Sequence, residues 1–137
     1  MNNFIDHKYF MSLAIDAANN DDEVPVGCVI IHEGKVVASS CNKVEELKNP
    51  LLHAEILAIN EAVKKLDVKF LCDCIMFCTL EPCKMCINAI NLVRMKRVIF
   101  GAYNNGSISH ESEIIGGVCE DKCKNMLYDF FKPKRNK

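Results

Sequence analysis

Net charge is nearly absent from this chain of 137 residues: 17 lysines and arginines stand against 18 aspartates and glutamates, a formal balance of −1. Such a chain has no global pull toward nucleic acid or membrane, so any polyanion site must be local. Long apolar runs are missing too, and none would span a bilayer, which argues against a membrane protein. Met1 to Tyr9 carries Asp6, His7 and Lys8 and lacks the apolar core of a secretory signal, so a cytoplasmic location is expected. Repeats, low-complexity tracts and long Gly/Ser/Pro linkers are also lacking. A single domain, 1–137, around one buried core is the simplest organisation.

What is present is apolar mass and sulfur. Half of the residues are hydrophobic, which predicts a packed globule, and nine are cysteines. A cytosolic chain keeps its thiols reduced, and a disulfide framework would leave one cysteine over. Metal ligation for some and core packing for the rest is the better account. Cys72, Cys74, Met76 and Cys78 alternate along an expected strand, Cys119 and Cys123 share an expected helical face, and Cys28 and Cys41 lie on an expected hairpin. All of these read as packing residues.

Periodicity supplies the elements. Asp6 to Asn20 carries Phe10, Leu13, Ala14, Ala17 and Ala18 at helical spacing. Val26 to Ile31 and Val36 to Ser40 form a hairpin around His32-Glu33-Gly34-Lys35. Ala54 to Leu66 is a helix, Cys74 to Thr79 a buried strand, and Glu81-Pro82 opens a further helix through Leu92. Arg97 to Gly101 is a strand, Asn104 to Ser107 a turn or loop, Ile114 and Ile115 a short edge strand, and Cys119 to Phe131 a closing helix. Strands alternating with helices after a hairpin predict an α/β sheet with helices on both faces.

Three residues, His53, Cys83 and Cys86, carry a metal-ligand pattern. The two cysteines sit three apart at a helix start, where both sulfurs reach one metal and the helix terminus favours thiolates. One nitrogen and two sulfurs leave a fourth zinc position open, as catalytic rather than structural sites do. Glu55, two residues past His53, is placed to carry protons to and from water at that position. H-x-E followed by P-C-x-x-C is the known signature of zinc nucleobase deaminases. A structural zinc ribbon would need a second C-x-x-C pair, and the spacings at Cys72/Cys74 and Cys119/Cys123 do not provide one.

On these residues the chain resembles the bacterial tRNA-specific adenosine deaminases of the cytidine-deaminase-like superfamily. The likeness also takes in Glu23-Val24-Pro25-Val26-Gly27, Thr79-Leu80-Glu81-Pro82-Cys83, Met85-Cys86, Phe100-Gly101-Ala102 and Asp129-Phe130-Phe131. The resemblance implies a three-layer α/β/α fold with a mixed five-stranded sheet, a homodimer, and one zinc ion per chain on His53, Cys83 and Cys86. It implies hydrolytic attack at C6 of a flipped-out adenine in a tRNA anticodon loop, with Glu55 as proton shuttle. It further implies that Asn42 orients the base, that Val24 and Pro25 line the base pocket, and that Phe130, Phe131 and Arg135 lie near the anticodon loop. Backbone N–H groups near Ala54 are expected to position the base edge. Taken alone, Asn42 is a solvent-facing residue after a strand, Val24 and Pro25 are strand-entry residues, and the two phenylalanines are core residues.

Three departures from the family pattern stand out. The segment after Asn104 is shortened to Asn105-Gly106-Ser107-Ile108. Asn49-Pro50-Leu51-Leu52 puts apolar residues before the histidine, near the expected pocket rim. Asn104 replaces a usual aspartate. The shortened segment favours an alternative, a zinc-dependent deaminase of a free nucleobase, nucleoside or nucleotide of the cytosine, guanine or cytidine type. A catalytically dead tRNA-binding partner could dispense with Glu55, which is present. The basic residues Lys132, Lys134, Arg135 and Lys137 suit a polyanion partner or a solvated helix end.

Overall fold

The computed structural model describes residues 4–104 and 112–135, apart from the side chains of 133–135. Its elements run α1 (His7–Ala17), β1 (Gly27–His32), β2 (Lys35–Cys41), α2 (Ala54–Leu66), β3 (Cys74–Leu80), α3 (Lys84–Leu92), β4 (Arg97–Ala102), β5 (Glu113–Ile115) and α4 (Glu120–Arg135). Local chemistry sets several boundaries. Asp6 caps α1 by accepting the Tyr9 N–H at 3.1 Å. Glu33 and Gly34 both have positive φ, 51° and 77°, the backbone that a tight two-residue hairpin turn needs. α2 ends at Asp67, in the left-handed region at φ 54°.

The sheet has the order β2-β1-β3-β4-β5. β1 is antiparallel to β2 and to β3, whereas β3 to β4 and β4 to β5 are parallel, so the sheet is mixed. Alternation along the strands feeds two cores. Cys28, Ile30, Cys74, Met76, Cys78, Val98 and Phe100 pack with Ala58, Ile59 and Ala62 of α2 and Ile87 and Ile90 of α3. Val29, Ile31, Ile75, Phe77 and Ile99 pack on the other face with Phe10, Met11 and Ala14 of α1 and with Cys123 and Leu127 of α4. This is the three-layer α/β/α arrangement expected from the sequence. Gly27 is required for close approach: a Cβ there would collide with the Ala14 carbonyl oxygen of α1.

Some expected details differ. Pro82 does not open α3, which begins at Lys84 after Cys83. The Glu81 N–H is still bonded to the Ala102 carbonyl of β4 at 2.8 Å, so the chain turns into a helix only past the proline. Cys72 precedes β3 and is exposed, leaving Cys74, Met76 and Cys78 as the alternating set. Cys119 precedes α4 at φ 55°, although it does pack with Cys123 against the same core. The loop Asn105 to Ile108 lies outside the described residues. Among the described residues no helix is long and apolar enough to cross a membrane.

Candidate active site

The starts of α2 and α3 meet over the carboxyl side of β3. His53 is the N-cap of α2 and Cys83 the N-cap of α3, and neither side chain makes a capping hydrogen bond. A cap position normally spends its side chain on the helix's free N–H groups; here both are released for another partner. Asn42 takes over part of the task at α2, where its Oδ1 accepts the Ala54 N–H at 2.9 Å.

The freed groups converge. The Sγ atoms of Cys83 and Cys86 each lie 3.6 Å from His53 Nδ1, and the three ligand atoms lie within 4.8 Å of one another. Two ligands about 2.0 and 2.3 Å from one tetrahedral zinc ion would stand about 3.5 Å apart, so the spacing fits that ion. The electrostatics ask for a cation as well. Burial pushes the Cys86 thiol well up, and the negative charge of Glu55 and Cys83 pushes it further. Burial also raises Glu55 to about 7, against the smaller opposing effects of its own backbone N–H and the Cys86 thiol. A divalent ion among these acids reverses the penalty on the thiolates, and the helix N-termini add to it.

Glu55 is 4% exposed and, with His53 and Cys83, lines a cavity of about 560 Å³. Val24, Asn42, Phe130 and Phe131 line it too, so the structure brings most of the expected substrate residues to one place. Asn42 is a part-buried strut rather than a solvent-facing residue: its Nδ2 donates to the Val24 carbonyl at 3.1 Å while Oδ1 holds Ala54. That leaves one N–H and one lone pair of the amide for a ligand. The Ala54 N–H, by contrast, is already committed to Asn42, and Ala54 is fully buried, so it does not face a base edge. Pro25 is buried and lines a separate cavity with Met126, Asp129 and Phe130. The side chain of Arg135 lies outside the described residues.

Sequence reasoning missed several lining residues. Glu81 lines the cavity and accepts the Asn104 N–H at 2.8 Å, tying the approach to α3 to the end of β4. Glu23, Val44 and Glu45 also line it, whereas Leu51 and Leu52 do not. Leu51 instead points outward, 57% exposed. Glu81 and Glu23 belong to the quoted motifs, and a carboxylate inside an apolar strand-entry motif was the available signal.

Comparison with known proteins agrees with this geometry. The family model of the cytidine and deoxycytidylate deaminase zinc-binding region matches residues 5–102. The chain is 46% identical to the tRNA-specific adenosine deaminase of Aquifex aeolicus, covering 94% of this chain and 96% of that one. A solved structure from a study of A-to-I editing by tRNA:A34 deaminases at the wobble position is 32% identical. It has a TM-score of 0.82 and covers 87% of this chain and 99% of its own. The guanine deaminase of Bacillus subtilis is 35% identical with a TM-score of 0.69, over 72% of this chain and 66% of that one.

Proposed function

The chain belongs to the cytidine and deoxycytidylate deaminase family, and from that premise we propose that it converts adenosine to inosine at the wobble position of a tRNA anticodon loop. One observation carries the chemistry: a His53, Cys83 and Cys86 corner with a buried carboxylate beside it, opening into a cavity of about 560 Å³ that has room for a base. The choice of substrate is supported by the near full-length kinship to tRNA-specific adenosine deaminases.

His53, Cys83 and Cys86 would hold one zinc ion per chain, which would supply Lewis acidity and bring the pKa of water toward neutrality. Glu55 takes a proton from the attacking water and delivers it to the ring nitrogen, then moves the remaining hydroxyl proton to the amino group as the C6–N bond breaks and ammonia leaves. Its burial beside the ligand set keeps it out of bulk solvent and within reach of water at the open position. Asn42 holds the start of α2 in place and presents its remaining N–H and lone pair to the base. Val24 and Leu80 give the base apolar walls, and Phe130 and Phe131 of α4 offer faces to the neighbouring nucleotides.

The reading extends to one domain over 1–137, acting as a cytoplasmic homodimer. Exposed Leu47, Leu51 and Leu92 give such a dimer apolar surface to bury, and light scattering tests it. One observation favours the second reading, a free-base deaminase: among the described residues the cavity is lined by Asp22, Glu23, Glu45, Glu55 and Glu81 and by no lysine or arginine. Incubating the protein with transcribed tRNAs and sequencing for inosine, beside free adenosine, cytosine and guanine, separates the two. Turnover of a free base with an untouched anticodon loop refutes the tRNA reading.

A further inference from the structure

Glu23 is a buried carboxylate with no part in the chemistry above. It sits between α1 and β1, is 2% exposed, and lines the cavity. Both of its oxygens accept the Glu45 N–H, at 3.2 and 3.0 Å, and Oε2 also accepts the Glu46 N–H at 2.8 Å. Those amides open the turn that leads from β2 into His53. The turn is otherwise closed by its own backbone, through Lys43 N–H to the Leu52 carbonyl at 3.0 Å and Asn49 N–H to the Val44 carbonyl at 3.0 Å. It is irregular chain, fastened to the body by Glu23 at its outer end and by Asn42 at its base. The residues so gripped are themselves glutamates, exposed to solvent. Bonds from their backbone N–H groups to the Glu23 carboxylate hold the turn.

We propose that Glu23 is a positioning residue that fixes this turn, and with it the cavity mouth presented to the nucleotides flanking the reacting base. The proposal rests on the polynucleotide reading above. Of the residues lining the cavity, Glu55 beside His53 and Cys83 is buried, whereas Val44 is half-buried and Glu45 exposed on the turn, which sets the turn against the chain flanking a base held at His53, Glu55 and Cys83. Loosening the turn should weaken the binding of a stem-loop while leaving the proton transfers intact.

The test compares Glu23→Ala and Glu23→Gln with the unaltered protein on an anticodon stem-loop. It also measures amide hydrogen exchange at Glu45 and Glu46 without substrate. Glu23→Ala should raise KM about tenfold with kcat within about twofold, the signature of lost binding rather than lost chemistry. Its two amides should exchange faster, and zinc content should not change. Glu23→Gln keeps an acceptor oxygen, so its KM should stay within about threefold and its exchange fall between the other two. If Glu23→Ala does not fold, the faster exchange expected in Glu23→Gln decides the matter. Unchanged exchange at both amides overturns the proposal, as does a kcat loss that matches or exceeds the rise in KM. A stem-loop left unconverted by the unaltered protein instead defeats the functional reading, while the exchange rates still decide whether Glu23 holds the turn.

Discussion

At the deep end of the cavity, each reactive side chain projects from the first turn of a helix seated on the sheet. His53 caps α2, Glu55 follows it, Cys83 caps α3, and Cys86 lies one turn on. At the mouth, one wall is the turn after β2, placed by single side chains reaching across the fold, and another is the outer part of α4, whose Cys123 and Leu127 pack into the core. The deep end is therefore fixed by secondary structure and packing, and small losses there should abolish chemistry. The turn is fixed by a few polar bonds, and losses there should grade binding.

The largest expected effect breaks the deep end outright. Cys83→Ser/Cys86→Ser should bind less than about a tenth of the zinc held by the unaltered protein and show no measurable turnover, as metal analysis and an inosine assay would reveal. An unchanged zinc content would remove the basis of the mechanism. Chelation has a second readout. In the metal-free protein Glu55 is raised from its ordinary 4.5 to about 7, so the folded state holds that proton more tightly than the unfolded state. Its contribution to stability is then present below about pH 4.5 and lost as pH rises through about 7. Thermal unfolding of metal-free protein across this range should follow that fall, and Glu55→Gln should flatten it.

Next comes the proton carrier. Glu55→Ala should keep its zinc and its fold and lose about 10³-fold in kcat, since positioned acid–base groups contribute about 10²–10⁴-fold. Substantial turnover would end the assigned role, and loss of zinc would make Glu55 a support of the ligands instead. Asn42 stands at the border between the two regions and should show a mixed effect. Asn42→Ala leaves the Ala54 N–H and the Val24 carbonyl without their partner, at a cost of about 1–3 kcal/mol. Its denaturation midpoint should fall, and both kcat and KM should worsen, because it braces the start of α2 and also lines the cavity. A pure KM effect would place Asn42 wholly in the mouth.

The same division governs what could be read from the sequence. The ligands of the deep end are legible because each helix start keeps them within a few residues of one another, as in His53-Ala54-Glu55 and Cys83-Lys84-Met85-Cys86. The sheet is legible because alternation in β1, β3 and β4 follows burial on its two faces. The mouth is not. Glu23 reaches backbone 22 and 23 residues away, and no periodicity announces such a bond. Val24 and Pro25 are neighbours, yet the chain turns tightly around Pro25, with the Val26 N–H bonded to the Val24 carbonyl at 2.9 Å, and one lines the cavity while the other does not. The Ala54 N–H was expected to meet the substrate, and only the folded chain brings Asn42 near enough to accept it.

The smallest expected effect sharpens the mouth. Ending the chain after Lys132 removes Lys134, Arg135 and Lys137, three of the basic residues that follow Phe131, and leaves the metal ligands untouched. Phosphate contacts made by these cations would release counterions, about 0.7 per contact on a single strand, so losing three contacts should lower the salt slope of stem-loop binding by about 2. At moderate salt this amounts to a KM a few-fold higher, with kcat little changed, because the remaining chain still carries His53, Glu55, Cys83 and Cys86. The acidic lining of the cavity gives this measurement its force. With Asp22, Glu23, Glu45 and Glu81 among the lining residues, phosphate attraction would come from elsewhere, and Lys132, Lys134, Arg135 and Lys137 follow Phe130 and Phe131 in the sequence. A truncated protein with an unchanged salt slope would show that the basic end is merely solvated and that RNA is held by another surface.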